Sequence, residues 1–148
     1  MKTYKLVRQM KDGQLAPLFI EATRRLPVGE YLRALCTPTK GFAVRPGFHS
    51  TPLPDAPHLS QKGRVWVECE VPGIQFTKEE DPHLFTGRNG MEVVPIGGWY
   101  FWNRPAAQGG RWVISEYLKI VRILDDHEVQ RIRARLLRNQ ALAEEVMA

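Results

Sequence analysis

The sequence predicts an α+β domain built on a mostly antiparallel sheet, and three observations carry that reading. Arg64-Val-Trp-Val-Glu-Cys-Glu-Val71 alternates apolar and polar residues with the period of a half-buried strand. Asp12-Gly13 and Asn89-Gly90 each lie between apolar runs, a hairpin signal, because glycine accepts the positive φ such turns require. Only the C-terminal stretch, residues 126–146, carries a sustained helical spacing. The expectation is one domain over residues 1–148, with a short helix near 27–36 and the long helix 126–146 packed on the sheet.

Taken in order, Tyr4–Met10 reads as a strand, Lys11–Gln14 as a turn and Leu15–Ile20 as the returning strand. Val28, Tyr31, Leu32 and Leu35 recur at helical spacing after Pro27, which predicts the short helix. Cys36-Thr-Pro-Thr-Lys-Gly41 ends it, since proline restricts its predecessor and lacks a donor. Gly41–Pro52 concentrates Arg45, a Pro46-Gly47 turn and His49-Ser50-Thr51 beside the Arg64–Val71 strand, a place where a site would sit. Arg45 and His49 are expected to brace that turn over a packed Phe48.

Asp55–Leu59 fits a single helical turn, and Pro72-Gly73 closes the strand before it reaches a mixed surface segment, 74–90. Gly97-Gly-Trp-Tyr-Phe-Trp102 places aromatic side chains on both faces of a strand, and Arg111–Leu124 reads as strand interrupted near Glu116. Asp125-Asp126 caps the last helix, whose acidic first turn complements the helix dipole. Val129, Ile132, Leu136, Ala143 and Val146 form its apolar face, with Arg131, Arg135 and Arg138 opposite.

At 148 residues with 43% hydrophobic content, the chain can bury a core of its own. The N-terminus shows no signal-peptide pattern and no segment is apolar enough to span a bilayer, so a cytoplasmic, non-membrane protein is expected. A net charge of +5 is mildly basic, which suits an acidic partner or nucleic acid.

Cys36, Cys69, His49 and His58 fit no zinc spacing, so no metal is expected. Neither glycine pair lies in a P-loop or dinucleotide fingerprint. His49 and Ser50 are adjacent on a strand and point to opposite faces, which rules out their pairing as base and nucleophile. The arginines of the last helix, with Trp99, Tyr100 and Trp102 as stacking surfaces, make nucleic acid one possible partner.

Pro38-Thr-Lys-Gly-Phe-Ala-Val-Arg-Pro-Gly-Phe-His49, Ala56-Pro-His-Leu59 and Gly63-Arg-Val-Trp66 resemble an uncharacterised family of small proteins carried by bacteriophages and prophages. The Tyr4–Ile20 hairpin, Gly109–Ile114 and Val121–Leu124 agree with it. The resemblance implies a phage or prophage origin and a bacterial cytosol, and supplies no activity.

A second resemblance is to mono-ADP-ribosyltransferases of the Arg–Ser–Glu class, in the order Leu6-Val-Arg8, Phe48-His-Ser-Thr51 and Ile114-Ser-Glu116. It implies NAD as cofactor, with Arg8 on the pyrophosphate, Ser50 holding the glutamate, and Glu116 stabilising the oxocarbenium-like charge. Pro52 and Ile114 depart from the family pattern. The leading expectation is therefore an accessory protein without a cofactor, binding a host or phage protein through a surface of Arg45, His49, Thr51, Trp99, Tyr100 and Trp102. The alternatives are an NAD-dependent transferase using Arg8, Ser50 and Glu116, and a nucleic-acid binder using Arg131, Arg135 and Arg138.

Overall fold

The computed structural model describes residues 1–18, 23–34, 46–87, 90, 92–108 and 110–147. Its first strand, β1 (Lys2–Gln9), has alternating sides of unlike chemistry: Tyr4 and Leu6 belong to one apolar cluster and Val7 to another. A strand covered on both faces belongs inside a sheet. β1 pairs antiparallel with β2 (Leu15–Ala16) on one side and β5 (Arg64–Glu70) on the other. With β9 (Tyr117–Ile123) and β3 (Tyr31–Arg33) the first sheet runs β2-β1-β5-β9-β3.

The second sheet runs β4-β8-β7-β6, from β4 (Phe48–Ser50), β8 (Arg111–Ser115), β7 (Gly98–Asn103) and β6 (Ile74–Gln75). Only the β6–β7 pair is parallel. The two sheets are tied twice. β8 passes into β9 through Glu116, and Tyr4 and Thr51 exchange backbone hydrogen bonds of 2.8 and 2.7 Å, so the end of β4 lies against β1.

The inter-sheet core holds Val7, Val67, Cys69, Leu118 and Ile120 from the first sheet, with Phe48 and Val113 from the second. On the outer side of the first sheet, Tyr4, Leu6, Trp66 and Leu124 receive α1 (Asp126–Met147) through Val129 and Ile132. Asp125 and Glu128 cap this helix reciprocally: the Glu128 amide donates to Asp125 Oδ1 at 2.7 Å, and the Asp125 amide to Glu128 Oε1 at 3.3 Å. Among the described residues, no helix is long and apolar enough to cross a membrane.

Three expectations are corrected. In place of a helix near 27–36, Val28 bridges to Ile120 and Tyr31–Arg33 form β3 along β9, while residues 35 and 36 lie outside the described residues. Gly29 at φ +90 interrupts any helix, and of the described members of the apparent apolar face Leu32 is buried while Val28 and Tyr31 are exposed. The helical face of α1 docks only over its first half: Leu136 is partly buried, whereas Ala143 and Val146 are exposed where the helix runs past the sheet. The returning strand of the first hairpin is also shorter than expected, ending before Pro17, which cannot donate to the ladder. Asn89, Met91 and Gly109 lie outside the described residues, although an isolated bridge from Thr86 to Glu92 closes the segment around Asn89-Gly90.

Candidate functional site

The three transferase positions come from different environments. Alternation along β1 puts Arg8 on the side of Tyr4 and Leu6, and its Nε donates to the Pro17 carbonyl at 3.2 Å. Ser50 stands opposite Val113 on the inter-sheet face, fully buried, and its hydroxyl has no hydrogen-bond partner among the described residues. Glu116 is buried at the β8–β9 corner, where it accepts the Gly97 amide at 3.0 Å and Arg33 at 3.3 Å. No hydrogen bond joins Ser50 to Glu116.

The expected binding surface divides between two faces. Trp99 and Phe101 pack on the inter-sheet core, while Tyr100 and Trp102 point outward, the consequence of a two-residue period. His49 joins the outer group, its ring 5.7 Å from Trp102 and 6.4 Å from Trp112. Arg104 covers both indoles at 5.0 and 5.5 Å, and His58, which meets Trp112 edge-on, has its pKa lowered by burial and then by the Arg104 charge. Thr51 has a structural role: its buried hydroxyl donates to the Leu53 carbonyl at 2.5 Å, with the Tyr4 carbonyl as a longer alternative acceptor at 3.2 Å. Phe48 is buried in the inter-sheet core, and Arg45 lies outside the described residues. Arg131, Arg135 and Arg138 are exposed on α1, whereas Arg133, between them, is anchored to the Pro54 carbonyl at 2.6 Å.

Two features escaped the sequence reading. The first is a groove of about 410 Å³ along β7, lined by Phe76, Thr77, Lys78, Phe101, Asn103 and Arg111. Its wall is a sheet edge. Trp99 accepts the Phe76 amide at 2.8 Å, whereas Gly98 and Arg104 bond on the β8 side, so Phe101 and Asn103 direct their backbone groups toward the groove. Beyond Phe76 no strand among the described residues covers that edge. Arg111 stacks 3.5 Å above the Phe101 ring, and Lys78 lies across from it, 3.9 Å from Glu92.

The second is a lysine between the sheets. Lys5 shares the inward face of β1 with Thr3 and Val7, and its ammonium donates to the His49 carbonyl at 2.7 Å. The antiparallel Tyr4–Thr51 bridge sets Lys5 opposite Ser50. Lys5 faces Val67 on β5, with Cys69 diagonal to it and directly across from Thr3. Burial lowers the Lys5 pKa to about 8 and raises that of the Cys69 thiol to about 12. Lys5 nevertheless keeps partial solvent contact. Thr3 and Ser115, like Ser50, have buried hydroxyls without partners among the described residues. The available signal was parity: Thr3, Lys5 and Val7 alternate with Tyr4 and Leu6, so if Val7 points inward, so does Lys5.

Among the described residues no cluster of His, Cys, Asp and Glu could hold a metal ion. No family model matches the chain, and neither the curated proteins nor the solved structures give a match.

Proposed function

We propose that this protein acts by binding a protein partner, and that the partner adds an extended, acidic segment to the free edge of β7. The carrying observation is the edge itself: Phe101 and Asn103 present backbone donors and acceptors to a groove about 410 Å³ in volume. Strand addition uses such groups for affinity and side-chain pockets at alternate positions for selectivity. Among the charged lining residues Lys78 pairs with Glu92 and Glu79 is acidic, so it is Arg111, stacked on Phe101, that favours an acidic side chain at that point of the groove. The resemblance to phage and prophage proteins supports a host or phage factor in the bacterial cytosol as that partner. Transferase chemistry has no such support, since Glu116 is committed to Gly97 and Arg33 rather than to Ser50.

The test is titration of the full chain with a short peptide alternating Glu with Val and Thr, followed by amide hydrogen exchange. The amides of Phe101 and Asn103 are expected to gain protection. Asn103→Pro removes one outward donor and leaves the β8 ladder intact, so it should abolish binding with little change in melting. Arg111→Glu should weaken the same peptide and improve binding of a Lys-containing counterpart. Binding that survives Asn103→Pro would exclude strand addition at this edge.

A further inference from the structure

We infer that the exposed second half of α1 pairs antiparallel with the same segment of a second copy of this chain, through Leu142, Ala143 and Val146. The inference does not rest on the β7 groove, which belongs to the second sheet. It begins from how little of the helix its own domain uses. Val129 and Ile132 are buried against the first sheet, and Leu136 is partly covered. From Leu137 to Met147 every residue is exposed, a stretch about 16 Å long. A helix of three turns is marginal in water unless an apolar face is buried.

The exposed stretch has such a face. Asn139, Leu142, Ala143 and Val146 follow the i, i+3, i+4, i+7 spacing of a single stripe, and Leu136 joins it to the docked side. Leu142 is 54% exposed and Val146 84%, so the stripe meets solvent rather than the sheet. The small side chain of Ala143 between them allows a second helix to approach closely.

The charges beside the stripe identify its occupant. Arg138 precedes Asn139 and Glu145 precedes Val146, so both lie on one flank, two turns and about 10 Å apart. That is too far for an ion pair within one helix, and neither side chain has a partner among the described residues. In an antiparallel pair, matching flanks face each other in opposite directions. Arg138 then meets the partner's Glu145, and Glu145 meets the partner's Arg138. A parallel pair would set Arg138 beside the partner's Ala143 and leave both charges unanswered. The antiparallel pair is centred between Ala141 and Leu142, so each docked segment, with its sheet, lies beyond the other copy's stripe. Asn139 within the stripe and a contact of only three turns make the dimer reversible, smaller than an obligate interface.

The experiment is sedimentation of the full chain from about 1 μM to about 1 mM, where a monomer–dimer equilibrium is expected. Leu142→Glu, at an exposed position, should raise the dimer Kd at least about tenfold and leave melting of the dilute protein unchanged. Arg138→Glu and Glu145→Arg should each weaken the dimer, and the double variant should restore it. Mixed together, the two single variants should pair with each other more tightly than either pairs with itself. A monomer over the whole range, or association that Leu142→Glu leaves unchanged, would overturn the inference. Single charge reversals that associate like the wild type would overturn the antiparallel arrangement.

Discussion

Glu116 accepts the backbone amide of Gly97 at 3.0 Å, tying the β8–β9 corner to the turn that starts β7. The same carboxylate meets Arg33, but Arg33 is mostly exposed, so the amide bond is the stronger constraint. Glu116→Ala should lower stability by about 1–3 kcal/mol, because it leaves a polar amide without its acceptor. Arg33→Ala should change it by less than about 1 kcal/mol. Urea denaturation of the two variants checks the contrast; equal losses would show that the ion pair is the main term.

Lys5 gives stability a pH dependence of known sign. Its folded pKa, about 8, lies below its unfolded value of 10.5, so between these limits the unfolded chain binds the extra proton. Stability should therefore rise from pH 8 to 10.5, while below 8 the full burial penalty persists. Lys5→Met should flatten this rise. Melting temperature against pH, measured for both proteins, is the comparison.

Gly47 takes φ +110, and a Cβ there would lie 2.7 Å from Ile114 Cγ2 and 3.1 Å from the Ser115 carbonyl. Gly47→Ala combines a disfavoured backbone with a clash against a fully buried side chain, and should destabilise by about 2 kcal/mol or more. A small effect in thermal unfolding would mean that the turn preceding β4 can shift as a unit.

The two halves of α1 should respond unequally. Ile132→Ala removes a buried side chain from the cluster with Trp66 and Leu124, an expected loss of about 2–5 kcal/mol. Val146→Ala, at an exposed position, should stay within about 0.5 kcal/mol. Chemical denaturation of each variant suffices, and comparable losses would place the end of the helix against an apolar surface.

NAD should leave the melting temperature of the wild-type protein unchanged, since Arg8, Ser50 and Glu116 do not form the hydrogen-bonded set that the transferase class requires. A clear concentration-dependent rise would return that reading to consideration.

Much of this fold was legible. The Arg64–Glu70 alternation, the break at Glu116 and the capped final helix rest on local rules of period and capping, and the structure follows them. The segment after Pro27 misled because Val28, Tyr31 and Leu32 satisfy helical spacing, while pairing with β9 places Tyr31–Arg33 in a strand. The Lys5 cluster was half visible. Parity put Lys5 beside Val7, but its position opposite Ser50 depends on the Tyr4–Thr51 bridge, a contact between distant segments. The β7 groove depends on where β6 stops, and the two-residue pairing of Ile74-Gln75 carries no distinctive sequence signal.

The Tyr4–Thr51 bridge also governs how the chain reaches this structure. Thr51 bonds to a residue 47 positions away, and the Met1 ammonium to the Val71 carbonyl 70 positions away. β1 has no local strand of any length to wait on, since its hairpin partner is only Leu15–Ala16. Folding must therefore close long loops before most of its contacts form, which places it among slow folders, on the millisecond-to-second scale. If the bridge forms only after β1 has docked on β5, Thr51→Val should accelerate unfolding and leave the refolding rate almost unchanged.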